Sequence, residues 1–460
     1  MREYKNTRNP ILPLDMHIPD AEAHVMPDGK TYIYGSFDDK SYTYCSDKYH
    51  VVSTADMKTW KIHDVSFTAD QAPWFADENA PKYPGLDLEN PTSFLKMLLE
   101  KPLPEPTIFD PQNLRDKQCA AEDAAREAGK MPALLYAPDA ICKNGKYYLY
   151  FCMSDNSEGV AVSDKPMGPF TDPVQLPCGE IDPAVFVDTD GQAYYFWGQF
   201  ALHGAKLNPD MVSLQEGTEV HRIITEEEHF FHEGASIRKI GDTYYLVYAD
   251  MERGKPTSLG YSTAKSPFGP YTYRGIIVDN DGCDPATWNN HGSIEQINGQ
   301  WYIFYHRSSR GSKIYRRLCI EPIHINPDGS IDEVKITSQG VGEPFVAGEK
   351  IWGYQACKLS GTILIDTDHA GSEWLTNISA GDAAAFRYVK TAPGFRQISI
   401  DAEGTGEAEC YLDEVLVGKV TINGGISVGQ LQDSGSGTRE LKLRFTAADN
   451  LKIKTVILSE

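Results

Sequence analysis

Five polar residues stand at matching places along the chain, each a few positions ahead of a glycine that opens a tyrosine-rich strand. They are Asp20 in HIPDAEAHV, Asp139 in YAPDAICK, Asp182 in EIDPAVFVD, Glu233 in HEGASIRK and His291 in NHGSIEQI. They precede Gly29, Gly145, Gly191, Gly241 and Gly299 by 9, 6, 9, 8 and 8 residues. Four carboxyls and one imidazole brought to one place would perturb each other's proton affinity, leaving some ionised and driving another to hold its proton. That division separates a base from an acid. A pair of carboxyls in those two roles is what hydrolysis of a glycosidic bond requires. A single Asp ahead of a glycine hairpin is ordinarily a turn cap. Recurrence in step with a repeat is what the turn-cap reading leaves unexplained.

The elements that must position these residues are themselves repeated. The phrase is a turn glycine followed by a strand of tyrosines and β-branched residues: GKTYIYGS at Gly29, GKYYLYFC at Gly145, GQAYYFWG at Gly191, GDTYYLVYA at Gly241 and GQWYIFYH at Gly299. The last four copies are 46, 50 and 58 residues apart, a propeller-blade period. The first gap, 116 residues, holds one blade plus an insertion. A second phrase, STADMKTW from Ser53, SDKPMGPF from Ser163 and STAKSPFGPY from Ser262, supplies outer strands and the turns that leave them. The expected fold is therefore all-β: a five-bladed β-propeller over residues 1–345, whose inner strands carry the polar residues to a central channel.

Two regions have a different texture. Residues 67–131 contain the amphipathic SFLKMLLEK and the helix-like LRDKQCAAEDAAREAGK, which predict a helical flap at the rim or, equally, a peripheral decoration. Residues 350–460 alternate with period two and predict a separate β-sandwich (jelly-roll) domain.

Composition narrows the function classes. With 43 basic and 65 acidic residues the net charge is −22, which repels phosphate backbones and argues against nucleic acid as a partner. No apolar run is long enough to suggest a membrane span, and MREYKNTRNPILPLD lacks the apolar core of a signal peptide. The nine cysteines have no CxxC spacing and read as free thiols in a reducing compartment, so a cytoplasmic location is expected. The sequence does not indicate an oligomeric state.

At these motifs the chain resembles glycoside hydrolase family 43. The resemblance rests on IPDAEAHVMPDG, YAPDAICKNGKYYLYF, IDPAVFVDTDGQAYYFWG, HEGASIRKIGDTYYLVYA and HGSIEQINGQWYIFYHR, in that order. It implies an inverting hydrolase acting on oligosaccharides, with arabinofuranose or xylose as the sugar released and galactose as an alternative. It implies Asp20 as the base that activates water, Glu233 as the acid that protonates the leaving oxygen, and Asp139 as the residue that tunes the acid. The two catalytic carboxyls should then lie about 6.5–9.5 Å apart. It also implies that His291 helps hold a central calcium ion or water network, the chemistry itself needing no cofactor. Tyr136, in place of the family's usual Trp, offers an aromatic wall for a sugar ring. Asp182, His232 and Arg307 are read as substrate-binding, Arg307 being chosen from the group Arg307, Arg310, Arg316 and Arg317. The usual Asp-Pro is Asp20-Ala21 here.

The C-terminal domain resembles a family 6 carbohydrate-binding module through LTNISAGDAAAFRYV and the closing LKLRF and LKIKTVIL. Its candidate sugar platforms are Trp374, Tyr388 and Phe395, any of which could equally belong to the core. A structural domain packed on the propeller is the preferred reading over a sugar-binding one. A non-catalytic carbohydrate-binding propeller is the rival from another class, and the full set of channel carboxyls argues against it. The Asn-Asp-Pro-Asn segment of the retaining fructosidases and the Ser-x-Asp-x-Gly-x-Thr-Trp box of sialidases are both missing. The GxSxG match at Gly425–Gly429 lacks the strand–turn–helix context of a nucleophile elbow.

Overall fold

The computed structural model describes residues 1–460 except 41–42, 84, 87, 101–131, 368–371, 392–393 and 433–434. Five antiparallel sheets follow one another along the chain. Blade I is built from Glu22–Val25, Thr31–Tyr34, Lys48–Thr54 and Thr59–Thr68, with Arg2–Lys5 added at its outer edge. Blade II comprises Asp139–Lys143, Lys146–Cys152, Ser157–Ser163 and Thr171–Gly179, and blade III Ala184–Val187, Ala193–Trp197 and His203–Leu207. Blade IV runs from Phe231–Ile240 through Thr243–Asp250 and Ser258–Ala264 to Thr272–Asp279, and Val334–Lys335 joins it in parallel. Blade V is Ser293–Ile297, Gln300–Ser309 and Ser312–Ile323.

The repeated tyrosine phrase is the second strand of each blade, and its composition follows from where it sits. Successive side chains of a strand point to opposite faces, and in a propeller both faces of a blade meet another blade. Leu149 and Phe151 pack toward blade I with Tyr34, Tyr49 and Phe67. Between them Tyr150 faces the other way, toward Tyr195 and Trp197 of blade III. Tyr194 and Phe196 then face Leu246 and Tyr248 of blade IV. Tyr245 and Val247 meet Ile303 and Tyr305 of blade V, and Phe304 closes the ring against Ile33 and Trp60 of blade I. Each junction has its own apolar cluster. Truncating one such ring, Phe151→Ala for example, should cost about 3–5 kcal/mol.

Tight Asn-Gly turns set the hairpins of blades II and V. Asn144 and Gly145 have φ of 53° and 77°, and Asn298 and Gly299 53° and 84°. Both central residues are left-handed, as a two-residue hairpin matching strand twist requires. The ring is sealed near the axis. Ala21 bridges Gly292, and the Ser293 hydroxyl donates to the Ala21 carbonyl at 2.8 Å while accepting from the Ala23 amide at 3.0 Å. On the outside Ile11 donates to Leu318 at 3.0 Å, so the N-terminal segment lies beside the outer strand of blade V.

The C-terminal region is a second all-β unit with one core, including Phe386, Ile398, Leu443 and Val456. Its nine strands are hydrogen-bonded into a single sheet, because the long strands Gln397–Leu412 and Thr438–Ser459 pair with each other and bend at bulges after Asp401, Glu403 and Glu407. Phe345, at the expected end of the propeller, already belongs to this core.

The insertion contributes the helix Ser93–Glu100, where SFLKMLLEK predicted one. The helix expected over LRDKQCAAEDAAREAGK, and Cys119 within it, lie outside the described residues. The eight described cysteines are free, and all but half-buried Cys142 are buried. Among the described residues no helix is long and apolar enough to cross a membrane.

Candidate active site

A cleft of about 420 Å³ opens where the inner strands of the blades begin. Asp20, Tyr136, Asp182, His232, Glu233 and His291 all line it, and Asp139 and Arg307 do not. Asp20 and Asp182 each stand two residues ahead of an inner strand with left-handed backbone, φ 56° and 60°, a conformation Asp tolerates better than most residues. Glu233 sits on a double bulge of its strand, between register shifts on either side. The glycine after it is required by packing. A Cβ on Gly234 would lie 2.8 Å from the His291 ring.

Asp20 is the best-anchored carboxylate of the site. It accepts from Arg316 Nη1 at 2.8 Å, and the Nδ1 atoms of His306 and His291 lie 3.4 and 3.9 Å from the same oxygen. Burial alone would push its proton affinity up, but the Arg316 guanidinium and the His306 contact outweigh it, so Asp20 is held ionised far below the usual carboxylate range. Arg316 is itself fixed by a bidentate pair with buried Asp38, both contacts at 2.9 Å. Asp182 goes the other way. Burial, then the Glu233 and Asp20 charges, drive its carboxyl well above the usual range. Burial also lowers His291, which stays neutral despite its acidic neighbours.

Glu233 is more open than either aspartate. Gln199 Nε2 donates to its Oε2 at 2.7 Å, and Asn289 Nδ2 lies 3.5 Å from its Oε1. His232 bonds Glu226 through Nδ1 at 2.9 Å, leaving Nε2 4.0 Å from Glu233. Carboxyls thus converge from blades I, III and IV, joined by buried Glu180 just after the outer strand of blade II. The cleft keeps its firm negative charge on Asp20, where the cations are.

Asp139 is a correction. Counting back from the hairpin glycine misplaces it, because the hairpins differ in length. Those of blades I and III close at Val25–Thr31 and Val187–Ala193, whereas that of blade II closes at Lys143–Lys146. By strand pairing Asp139 opposes Tyr150, as Glu22 opposes Tyr34, Ala184 opposes Phe196 and Ser293 opposes Phe304. It therefore lies one tier below the cleft, and the position level with Asp20 is held by Ala137, which does line the cleft. Asp139 accepts from the amides of Ala140 and Val185 at 2.6 and 2.7 Å and from His24 at 2.7 Å.

Arg307 is a second correction. Its Nη1 donates to the Ala356 carbonyl at 2.8 Å, at the junction with the C-terminal domain. Arg310 and Arg317 both bond buried Glu373 there. Of the four arginines only Arg316 reaches the cleft.

The calcium expectation does not fit the residues around His291. Its neighbouring carboxylate on Asp20 already holds the Arg316 cation, and His291 belongs to no three-donor cluster among the described residues. The cluster that does occur, Glu22, His24 and Asp139, lies in the lower tier. There Arg238 donates to Glu22 at 2.7 Å and supplies the positive charge. One imidazole and two carboxyls fall short of the six to eight oxygens calcium takes. Of the candidate sugar platforms in the C-terminal domain, Trp374 and Phe395 are buried, and the Trp374 indole donates to Ser372 at 2.8 Å.

Several lining residues carried no sequence signal. Gln199, Asn289 and Trp288 come from loops outside the repeat, as does Tyr44, and Lys313 stands at the start of the outer strand of blade V. Trp288 and Asn289 precede the His-Gly phrase by only two or three residues, which is the one hint available.

Comparison with known proteins agrees with this architecture. The model of "Glycosyl hydrolases family 43" matches residues 110–331. A xylosidase/arabinosidase of Thermoclostridium stercorarium is 31% identical over 420 residues, 81% of this chain and 76% of the relative. The chain belongs to glycosyl hydrolase family 43. As a family 43 member it is a glycosidase, and other proteins are also similar. One from Bacteroides ovatus, likewise named xylosidase/arabinosidase, is 27% identical over 74% of this chain and all of the relative. The crystal structure of a family 43 β-xylosidase/α-arabinofuranosidase from a compost metagenome superimposes with TM-score 0.53 at 26% identity, covering 73% of this chain and 99% of that one.

Proposed function

We propose that this glycosidase releases arabinofuranose or xylose units from plant-derived oligosaccharides by single displacement with inversion. The observation that carries the reading is the division of labour in the cleft. Asp20 is pinned in its ionised form by Arg316 and faces a cavity that Glu233 enters from another blade. Asp20 takes a proton from water as that water attacks the anomeric carbon, and Glu233 gives a proton to the departing oxygen. Asp182, which interacts with both, is the residue that tunes the acid, in place of Asp139. Arg316 keeps the base charged, and Gln199 with Asn289 orients the acid. The names of the relatives, xylosidase/arabinosidase, support the choice of sugars.

The test uses aryl α-L-arabinofuranosides, β-D-xylosides and β-D-galactosides, with proton NMR of the first sugar released. Turnover of the first or second with the inverted anomer appearing first is the expected result. A retained anomer would overturn the mechanism, and exclusive galactoside turnover would overturn the substrate assignment.

A further inference from the structure

A second hollow of about 860 Å³ lies beside the cleft, and Leu86, Glu180 and Gln199 line both. Blade III gives it a floor of Trp197, with Phe200 beside it. The insertion supplies Leu88 and Leu95. Its far rim is polar, formed by Glu219, His221 and Arg222. Walls that mix apolar side chains with polar ones such as Glu180, Gln199 and His203, at this volume, describe a ligand site rather than a packing defect. Aromatic and apolar faces beside hydrogen-bonding groups also suit sugar rings, whose C–H faces are apolar and whose rims are hydroxylated.

The hollow lies on the acid's side of the cleft. The shared residue Gln199 is the one that donates to Glu233 Oε2 at 2.7 Å. Its loop is tightly held: the Gln199 amide donates to Glu180 Oε2 at 2.7 Å, and the Phe200 amide to the His232 carbonyl at 2.6 Å. Gly198 and Phe200 on either side have φ of 132° and 65°. This conformation fixes Gln199 as a rigid partition between the two spaces. The insertion is tied to the same region through Thr92, whose hydroxyl donates to Glu226, the partner of His232.

We propose that this hollow receives the leaving-group chain of the substrate, so that the scissile sugar is presented to Asp20 and Glu233 as the end or branch of an oligosaccharide. The inference rests on the acid role given to Glu233 above. An acid must sit against the oxygen that departs, so the departing chain extends past Glu233. The way past it leads over Gln199 onto Trp197, toward His221 and Arg222.

The test compares His221→Ala, Arg222→Ala and Leu88→Asp with the wild type on two substrates. One is xylotetraose, plain or singly arabinosylated, and the other is the 4-nitrophenyl glycoside of the same terminal sugar. All three positions are exposed, so folding is not at stake. The expected result is a rise of about tenfold in KM for the oligosaccharide with kcat within twofold, and unchanged constants for the aryl glycoside. Gln199→Ala should impair both substrates, since it also touches Glu233. Wild-type constants on the oligosaccharide in all three surface variants, or equal losses on both substrates, would overturn the proposal. If the wild type cleaves neither substrate, the reading of the function fails. If it cleaves both and the variants match it, only the placement of the leaving chain fails.

Discussion

The upper and lower tiers of the channel draw on the same residue types, and they differ in where each charge finds its partner. In the upper tier Asp20, Asp182, Glu233 and His291 face a cavity, and Glu233 has one short carboxamide contact with Gln199 and a longer one with Asn289. In the lower tier each acid is taken up internally. Asp139 has two amides and His24, while Glu22 has Ser236 and Arg238. Arg238 also reaches Glu295 at 3.2 Å and the Ala23 carbonyl at 2.6 Å. A buried carboxyl whose hydrogen-bonding capacity is used up holds the ring together, whereas one left facing a cavity is available for chemistry. Conspicuous acids on neighbouring strands therefore divide by tier rather than by motif.

Substitutions in the two tiers should separate activity from stability. Glu233→Gln is expected to lower kcat by about 10²–10⁴-fold while the melting temperature moves little. Asp20→Asn should lower kcat as much but also lower the melting temperature, because it breaks the buried pair with Arg316. Steady-state rates and thermal melts on the same samples check this. Asp139→Ala should do the reverse, costing about 3 kcal/mol of stability through the broken buried network, with kcat of the folded enzyme within a few-fold of wild type. A kcat loss for Asp139→Ala as large as that for Glu233→Gln would collapse the distinction between tiers.

A finer division is expected within the upper tier. Asp182→Asn should reduce kcat by about 10–100-fold and shift the pH–rate profile. Asp139→Asn should leave the profile where it is. Arg316→Met removes the charge that keeps Asp20 ionised. Its carboxyl then rises, and because the base must be charged, the acid limb of kcat/KM should move to higher pH. An unmoved limb in pH-rate data would take Arg316 out of the mechanism.

The smallest effect concerns stability against pH. Burial raises both Asp139 and Glu22 to about 7. Between about pH 4 and 7 the folded chain thus keeps protons that the unfolded chain has released, so this contribution to stability is greatest at the acid end and declines as pH rises toward 7. Asp20 has the opposite sign, its contribution being lost as pH falls below about 4. His24 beside them is lowered to about 4 and opposes this trend up to about pH 6.5, so the Asp139 contribution is read as a difference. Unfolding free energies measured from about pH 5 to 7 should decline less in Asp139→Asn than in the wild type, by on the order of 1–2 kcal/mol over the range. An identical slope in the variant would show that the lower tier does not titrate in this window.

The blade number and the residues that begin the inner strands were legible in the sequence. Both follow from local rules: turn glycines and period-two apolar alternation recur wherever a strand is packed on both faces. For the same reason the phrases around Asp20, Asp182, Glu233 and His291 pointed to one place. Tier assignment was not legible, since it depends on strand pairing, and pairing depends on hairpin lengths that a count from one glycine does not register. Nor was the choice among four arginines. Arg307, Arg310, Arg316 and Arg317 alternate along one blade, and only the docking of the C-terminal domain turns three of them into interface residues and leaves Arg316 to the cleft. Gln199, Trp288 and Asn289 reach the site on loops whose course is set by long-range contacts. Local periodicity thus determined the ring and most of its acidic residues. Which acids face a cavity, and which cation holds the base, was decided only when the blades and the second domain came together.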